Sequence, residues 1–374
     1  MPYCDTFIGD TTKKVLHGGI LATLIDTAGA AAAFSVLDTA EEGGVNTIDM
    51  RIDFLKPARG KHFIGTGQVI RKGSRIVVTD IKVTNDTETL VAQETFDAVR
   101  QGTAEMGHGA AYYWAGKIKA AQFFTSVPFG LNAQQMYAWL YSGNGLQLWE
   151  ELYAPFGLIP IPAGNSGVQM GGWFNKEINT LTDFKGLKIR IPGLGGKVLS
   201  EAGASPELLP GGEIYTSLER GIIDATEWLG PYHDYLMGFH KIAKHYYYPG
   251  WHEPGSVLEL IINKRAFDSL DQDLQAIIQT VAQSLNTWML ARFDTQNSLY
   301  LKKLSQEKQI KITPFPKIVM TALKQIAQDT IASVVKNDPQ SQKIYTSFTQ
   351  FQRDITPWSN VSERAFYNAI QTDT

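Results

Sequence analysis

The chain has 374 residues, 44% hydrophobic and 19% charged, ordinary for soluble globular protein and enough for two or three domains. A formal net charge of −3 with scattered Lys and Arg leaves no basic footprint for nucleic acid or an anionic membrane. One cysteine, Cys4, excludes an intrachain disulfide framework and a cysteine-rich metal site.

The opening MPYCDTFIGDTTKKVLHGG has no basic region followed by a continuous apolar core and no small-residue cleavage site. As written the chain lacks an export signal and reads as cytoplasmic. Ile20 to Leu37 is apolar but carries Asp26 in its middle, where a charge in lipid costs roughly 3 kcal/mol or more; a buried core helix is expected rather than a membrane span. HGGILATLIDTAGAAAAFS, His17 to Ser35, is a run of helix formers opened by two glycines. Ile48, Met50, Ile52 and Phe54 then alternate with polar residues before Pro57, and further strands are predicted at Gly65 to Arg71, Arg75 to Val83 and Thr89 to Phe96. With turn residues Lys72-Gly73-Ser74 and Asn85-Asp86 between them, the order argues an antiparallel sheet curled around one helix, an α+β unit.

Gly18 and Gly19 permit close approach to a helix N-terminus, whose free N–H groups and dipole would stabilise an oxyanion formed at a bound carbonyl. Asp26 would activate water or attack directly. Nine helical residues span about 13 Å, so His17-Gly18 and Asp26 would have to come from different subunits, making oligomerisation a requirement. The plainer alternative is a helix cap and a buried acid satisfied by Thr23 or Thr27. This segment resembles the hotdog fold, and HGG with Asp26 nine residues after His17 resembles the phenylacetate-type acyl-CoA thioesterases. That family commonly has Asn where Thr11 stands, and some thirty residues before a point that only sixteen precede here. The expectation is an N-terminally truncated hotdog domain, residues 1–96, with weak or no turnover.

A seam is expected within Glu94 to Arg100, without a Pro-, Gly- or Ser-rich linker, followed by a two-lobed α/β domain over residues 97–374. Apolar runs at Leu187 to Ile191 and Val257 to Ile262 alternate with helical patterns. The clearest is Leu274, Ile277, Ile278, Val281, Leu285, Trp288 and Met289, after the capping candidates Asp268 and Ser269. It predicts a long surface helix toward Leu304 bracing both lobes, its Met and aromatic residues lying in the core. A last helical pattern is broken at Pro357.

Two stretches carry the chemistry. GVQMGGWFNKEINTLTDFKGLKIRIPG places Gln169 and Arg190 at the ends of apolar runs, and LERGIIDATEW ends in Glu227 and Trp228. A guanidinium fork matches a carboxylate two bonds at a time, and amide, carbonyl and carboxylate oxygens suit a hard cation. No nucleophile is present in this set. From about Phe96 onward the chain resembles the solute-binding proteins of tripartite ATP-independent periplasmic (TRAP) transporters, in the branch that binds 2-oxo acids or lactate with a metal ion. FDAVRQGTAEMGHGAAYYWAGK, GGWFNKEI, LKIRIPG, LPGGEIYTSLERGIIDATEW and GWHEPGS carry the likeness, over roughly three quarters of the chain.

That resemblance implies that Gln169, Glu227 and the Trp228 carbonyl bind sodium or calcium, bridging a 2-oxo or 2-hydroxy monocarboxylate clamped by Arg190, with no organic cofactor. Tyr112, Tyr113 and Trp114 fall where the family's cleft is walled, Tyr113 being the candidate for the ligand; Glu253, in a Gly/Pro-bounded loop, reads either as a second-rank cation ligand or as an exposed loop acid. His108 and His252 lack metal-ligand spacing and are assigned packing or loop roles, and the GxGG after Arg190 is too weak to mean a phosphate loop. The resemblance further implies TRAP membrane subunits as partners and a periplasmic location. The family's first strand, helix and next strand have no counterpart in the sequence, so two truncated modules abut, which a gene fusion or a misassembled reading frame explains best. The alternative function is that of a hotdog acyl-CoA thioesterase with the C-terminal part as passenger.

Overall fold

The computed structural model describes residues 8–10, 15–16, 18–34, 63–72, 77–85 and 92–370. Two compact units divide the chain, Met1–Leu90 and Val91–Thr374. Cys4, Thr11, His17 and the strand predicted over 48–54 lie outside the described residues.

In the first unit β1 (Ile8–Asp10) pairs antiparallel with β2 (Val15–Leu16), and helix α1 (Gly18–Phe34) starts at the predicted glycines. β3 (Phe63–Lys72) and β4 (Val77–Asn85) form the expected antiparallel hairpin, with α1 packed on both. Asp26 and Thr27 are exposed on α1, so the buried acid of the plainer alternative is not what the fold makes.

The second unit opens on α2 (Ala92–Gln101), a helix where the last hotdog strand was expected to run to Phe96. The reason is periodicity: Phe96 and Val99, three apart, are buried together in a core cluster while Arg100 is exposed. After it come β5 (Met106–Gly109), α3 (Ala133–Tyr137), α4 (Gly145–Tyr153), β6 (Leu158–Asn165), β7 (Gly172–Phe174), β8 (Lys188–Arg190), α5 (Gly193–Glu201), β9 (Ser205–Glu207), α6 (Gly211–Glu219), β10 (Ala225–Thr226), α7 (Pro231–Met237) and β11 (His245–Tyr248). The chain ends with β12 (Val257–Asn263), α8 (Lys264–Asp268), α9 (Gln272–Ser305), β13 (Lys311–Pro314), α10 (Lys317–Lys336), α11 (Pro339–Val361) and α12 (Glu363–Ile370).

These elements build two sheets. One is antiparallel, in the order β5-β12-β6; the other is mixed, in the order β13-β11-β7-β10-β8-β9. VLELIIN takes the central place in the smaller sheet, whereas Pro160 and Pro162 of β6 sit on an edge strand, where a missing N–H is tolerated. The chain crosses between the sheets after β6, returns after β11 and crosses a third time after β12 by way of α9; the first two crossings run side by side. These two crossovers are stitched by Gln169 N–H to the Glu253 carbonyl (3.2 Å), Gly250 N–H to the Gln169 carbonyl (2.8 Å) and Ser166 N–H to the Ser256 carbonyl (3.0 Å). Gly250 is required there, because a Cβ would collide with the Gln169 carbonyl.

α9 packs on β6 of one sheet and α7 beside the other, with Ala282 and Leu304 in different cores, so it does brace both lobes. Its predicted core stripe is corrected in part: Ile278 and Leu285 do pack on a core, but Leu274, Ile277, Val281 and Trp288 are exposed, and the fully buried positions are Ala282, Asn286, Phe293 and Leu304. The apolar arc is wider than the contact, so only its edge through Ile278 and Leu285 is covered, and Asn286 fixes that rotation by donating to Tyr141 Oη (2.8 Å) and accepting from Gly164 N–H (2.7 Å). Asp268 and Ser269 end α8, and Asp271 is the N-cap of α9. α11 runs through Pro357 to Val361 instead of breaking. The proline is exposed, so the carbonyl it orphans faces water. Among the described residues no helix is long and apolar enough to cross a membrane.

Candidate functional site: a buried guanidinium and a ring of cation donors

Arg190 is the last residue of β8 and Glu227 the first after β10; the strands are parallel, in register at Arg190 and Thr226. Both side chains therefore emerge at the carboxyl ends of neighbouring parallel strands, the edge at which α/β sheets bind ligands. Gln169 and Glu253 reach the same place from the first two crossovers.

All four are 3% exposed or less. Arg190 Nη1 donates to Glu227 Oε1 and, at 3.2 Å, to the Glu227 carbonyl, while the guanidinium lies 4.9 Å from the centre of the half-buried Trp228 ring. Glu227 Oε2 is 3.3 Å from His252 Nε2. Gln169 Nε2 donates to Glu253 Oε2 (2.7 Å) and Ser166 Oγ (3.1 Å), and Ser256 Oγ donates to Glu253 Oε2 (2.5 Å). Burial, reinforced by the Glu227 charge, pushes the Glu253 carboxyl up to about 7. Burial likewise raises both Tyr112 and Tyr113, keeping them as hydroxyl donors in the field of Arg190, Glu227 and Glu253.

The arrangement fits a cation. Ligand atoms of Glu227, His252 and Glu253 lie within 4.8 Å of one another. Gln169 Oε1, His252 Nδ1 and Arg190 Nε are buried without a hydrogen-bond partner, a condition native structures avoid unless a ligand satisfies them. The site thus keeps a free amide oxygen for a metal and a free guanidinium N–H for an anion. Gln169, Arg190, Glu227, Trp228 and Glu253 come together here, with Tyr112 and Tyr113 in the same field.

His252 is the member that sequence reasoning left to a packing role, and its only cue was standing next to Glu253. His108 does have a structural role, its Nε2 lying 2.9 Å from the Ala163 carbonyl. Trp114 turns away from the cleft into the core, where its Nε1 donates to Tyr153 Oη (2.7 Å) and Glu259 Oε1 (2.8 Å). Glu259, also missed, lies on the central strand β12, and burial pushes its carboxyl up to about 8. Asp234 is a further buried acid, lifted by burial to about 7 against four hydrogen bonds that favour its charged form. In the first unit Gly18 opens α1 with Asp26 exposed further along it.

Residues 13–92 match the thioesterase superfamily. A putative esterase of Halobacterium salinarum is 43% identical over 88 residues, 24% of this chain and 58% of that protein. The chain thus spans less than two thirds of that relative. A monocarboxylate 2-oxoacid-binding periplasmic protein of Nostoc sp. is 39% identical over 358 residues, 95% of this chain and 98% of that one. A TRAP periplasmic solute-binding protein from Pseudoalteromonas atlantica, solved with bound sodium and pyruvate, is 44% identical and superposes with a TM-score of 0.73 over 75% of this chain and 85% of its own. One from Colwellia psychrerythraea, with bound calcium and pyruvate, is 42% identical with a TM-score of 0.72 over 74% and 84%. The model of the bacterial extracellular solute-binding proteins of family 7 matches residues 77–338, and with these relatives it shows that the chain belongs to that family.

Proposed function

We propose that residues 91–374 bind a small 2-oxo or 2-hydroxy monocarboxylate together with sodium or calcium, in the periplasm, for delivery to the membrane subunits of a TRAP transporter. The observation that carries this reading is the buried Arg190–Glu227 pair standing beside the unpartnered Gln169 Oε1. Arg190 takes the acid's carboxylate, with the Tyr113 hydroxyl beside it; Gln169, Glu227 and the Trp228 carbonyl hold the cation, and Glu253 and His252 complete its surroundings. The cation neutralises the charge that a second carboxylate brings into a water-poor cleft. Closure of the two lobes over the pair is the motion such a site calls for. Calorimetric titration of pyruvate in sodium, calcium and choline buffers after chelation tests the reading. Binding in the first two and not in choline is expected; no binding in any would overturn it.

The first unit favours a second activity because α1 opens at Gly18 and presents Asp26 to solvent. Our reading is a fused hotdog thioesterase module that oligomerises, so that Asp26 and the turn at His17 come from different subunits, with weak turnover. Hydrolysis of an acyl-CoA panel, and its loss in Asp26→Asn, is the test.

A further inference from the structure

We propose that Asp234 is the positioning residue for the cation's main-chain ligand: its carboxylate binds the N–H of the Trp228–Leu229 peptide and thereby aims and polarises the Trp228 carbonyl. This rests on the cation-bridged reading of the site. Asp234, 1% exposed in the short helix α7, accepts at Oδ1 from Leu229 N–H (3.1 Å) and Gly230 N–H (3.1 Å). Leu229 N–H belongs to the same planar amide as the Trp228 carbonyl, and in a trans peptide the two point in opposite directions. A carboxylate behind the N–H therefore fixes where the oxygen points and raises its electron density by polarising the chain of hydrogen bonds.

The neighbouring carbonyls are already taken, that of Glu227 by Thr226 Oγ1 (3.0 Å) and Arg190, and that of Leu229 by Met170 N–H (3.1 Å). No described residue donates to the Trp228 carbonyl. Asp234 is itself held, because Oδ2 accepts from Trp173 Nε1 (3.0 Å) and from Tyr246 Oη (2.8 Å), whose rings stack at 4.0 Å. Trp173 lies on β7, just beyond the crossover carrying Gln169, so this one carboxylate ties together the segments bearing the amide and carbonyl ligands. A simple cap for α7 would need only the Gly230 bond; the bonds to Leu229, Trp173 and Tyr246 go beyond it.

A fixed negative charge behind the ligand acts on a divalent ion about twice as strongly as on a monovalent one, and removal of such an outer partner typically costs about 10- to 100-fold in metal affinity. Asp234→Asn, measured at about pH 8.5, should weaken pyruvate-linked sodium binding about tenfold and calcium binding about a hundredfold. Equal losses for the two ions, or none, would overturn the assignment. Should that variant fail to fold, Tyr246→Phe removes one donor but keeps the charge and the Leu229 bond. The calcium-to-sodium affinity ratio should then stay at the parent's value even as Tm falls; a ratio that collapses makes the role one of packing. A parent protein that binds pyruvate with neither ion refutes the site itself rather than the role of Asp234.

Discussion

The acid and the cation should bind as one unit, and Glu227→Gln should uncouple them. Arg190 is already neutralised by Glu227, so an incoming carboxylate leaves one uncompensated negative charge. Two like charges about 4 Å apart repel by about 4 kcal/mol at an effective dielectric near 20, close to a thousandfold in affinity. A cation among donors that lie within 4.8 Å of one another removes that repulsion, and by linkage each ligand strengthens the other by the same factor. The cation also competes with the guanidinium for the Glu227 oxygens, freeing Nη1 for the acid. In Glu227→Gln the repulsion is gone before any ligand arrives, so the gain in pyruvate affinity from adding calcium should shrink from about a thousandfold to about tenfold or less. The unliganded variant should melt earlier, because removing one partner of a buried ion pair costs about 3–5 kcal/mol. Calorimetry of parent and variant in sodium, calcium and choline buffers reads this directly. A variant that keeps the parent's full cation dependence would show that Glu227 is not the charge the metal offsets.

Arg190→Lys should weaken pyruvate binding about ten- to a hundredfold, because an ammonium cannot replace the planar fork and loses about 1.5–3 kcal/mol of charge-assisted hydrogen bonding; calorimetry within twofold of the parent would remove Arg190 as the anchor. Glu259 has its folded pKa raised by burial to about 8, above its unfolded value, so its contribution to stability is full below about pH 4.5 and is lost as pH rises through about 8. Glu259→Gln should therefore flatten the fall in stability between pH 5 and pH 8 by an amount on the order of 2–4 kcal/mol, read by urea denaturation; parallel pH profiles for parent and variant would contradict this. Asp26→Asn should abolish any acyl-CoA hydrolysis without unfolding α1, checked by a thioester assay beside circular dichroism, and unchanged turnover would clear Asp26 of a catalytic part.

How much of this was legible in the sequence depended on whether a residue's meaning is local. Arg190 and Glu227 each close a short apolar run, and a polar group at the end of a buried strand announces a site whatever the partner strand is. His252 and Glu259 carry no such mark, because one matters through Glu227, 25 residues upstream, and the other through Trp114 and Tyr153, far away in sequence. The β-hairpin was readable from alternation. α2 was readable only from Phe96 onward, where Val99 supplies the second point of a helical period; its first turn, from Ala92, also fits the end of a strand.

α9 shows the opposite failure. Its apolar stripe was real and its helix correctly anticipated, yet Trp288 is 56% exposed while Asn286 is buried. Periodicity reports that a helix has an apolar side; it cannot say how much of that side the rest of the fold covers, and in α9 only the edge through Ile278 and Leu285 is covered. Here a polar residue decides, since Asn286 has hydrogen-bond partners waiting on Gly164 and Tyr141 and would be costly to bury anywhere else. Asp234 is placed by the same logic, because its four donors come from three separate segments. A buried polar side chain satisfied from several elements fixes their mutual positions more tightly than apolar packing does, and at Asp234 the elements so fixed are those that hold Gln169 and the Trp228 carbonyl.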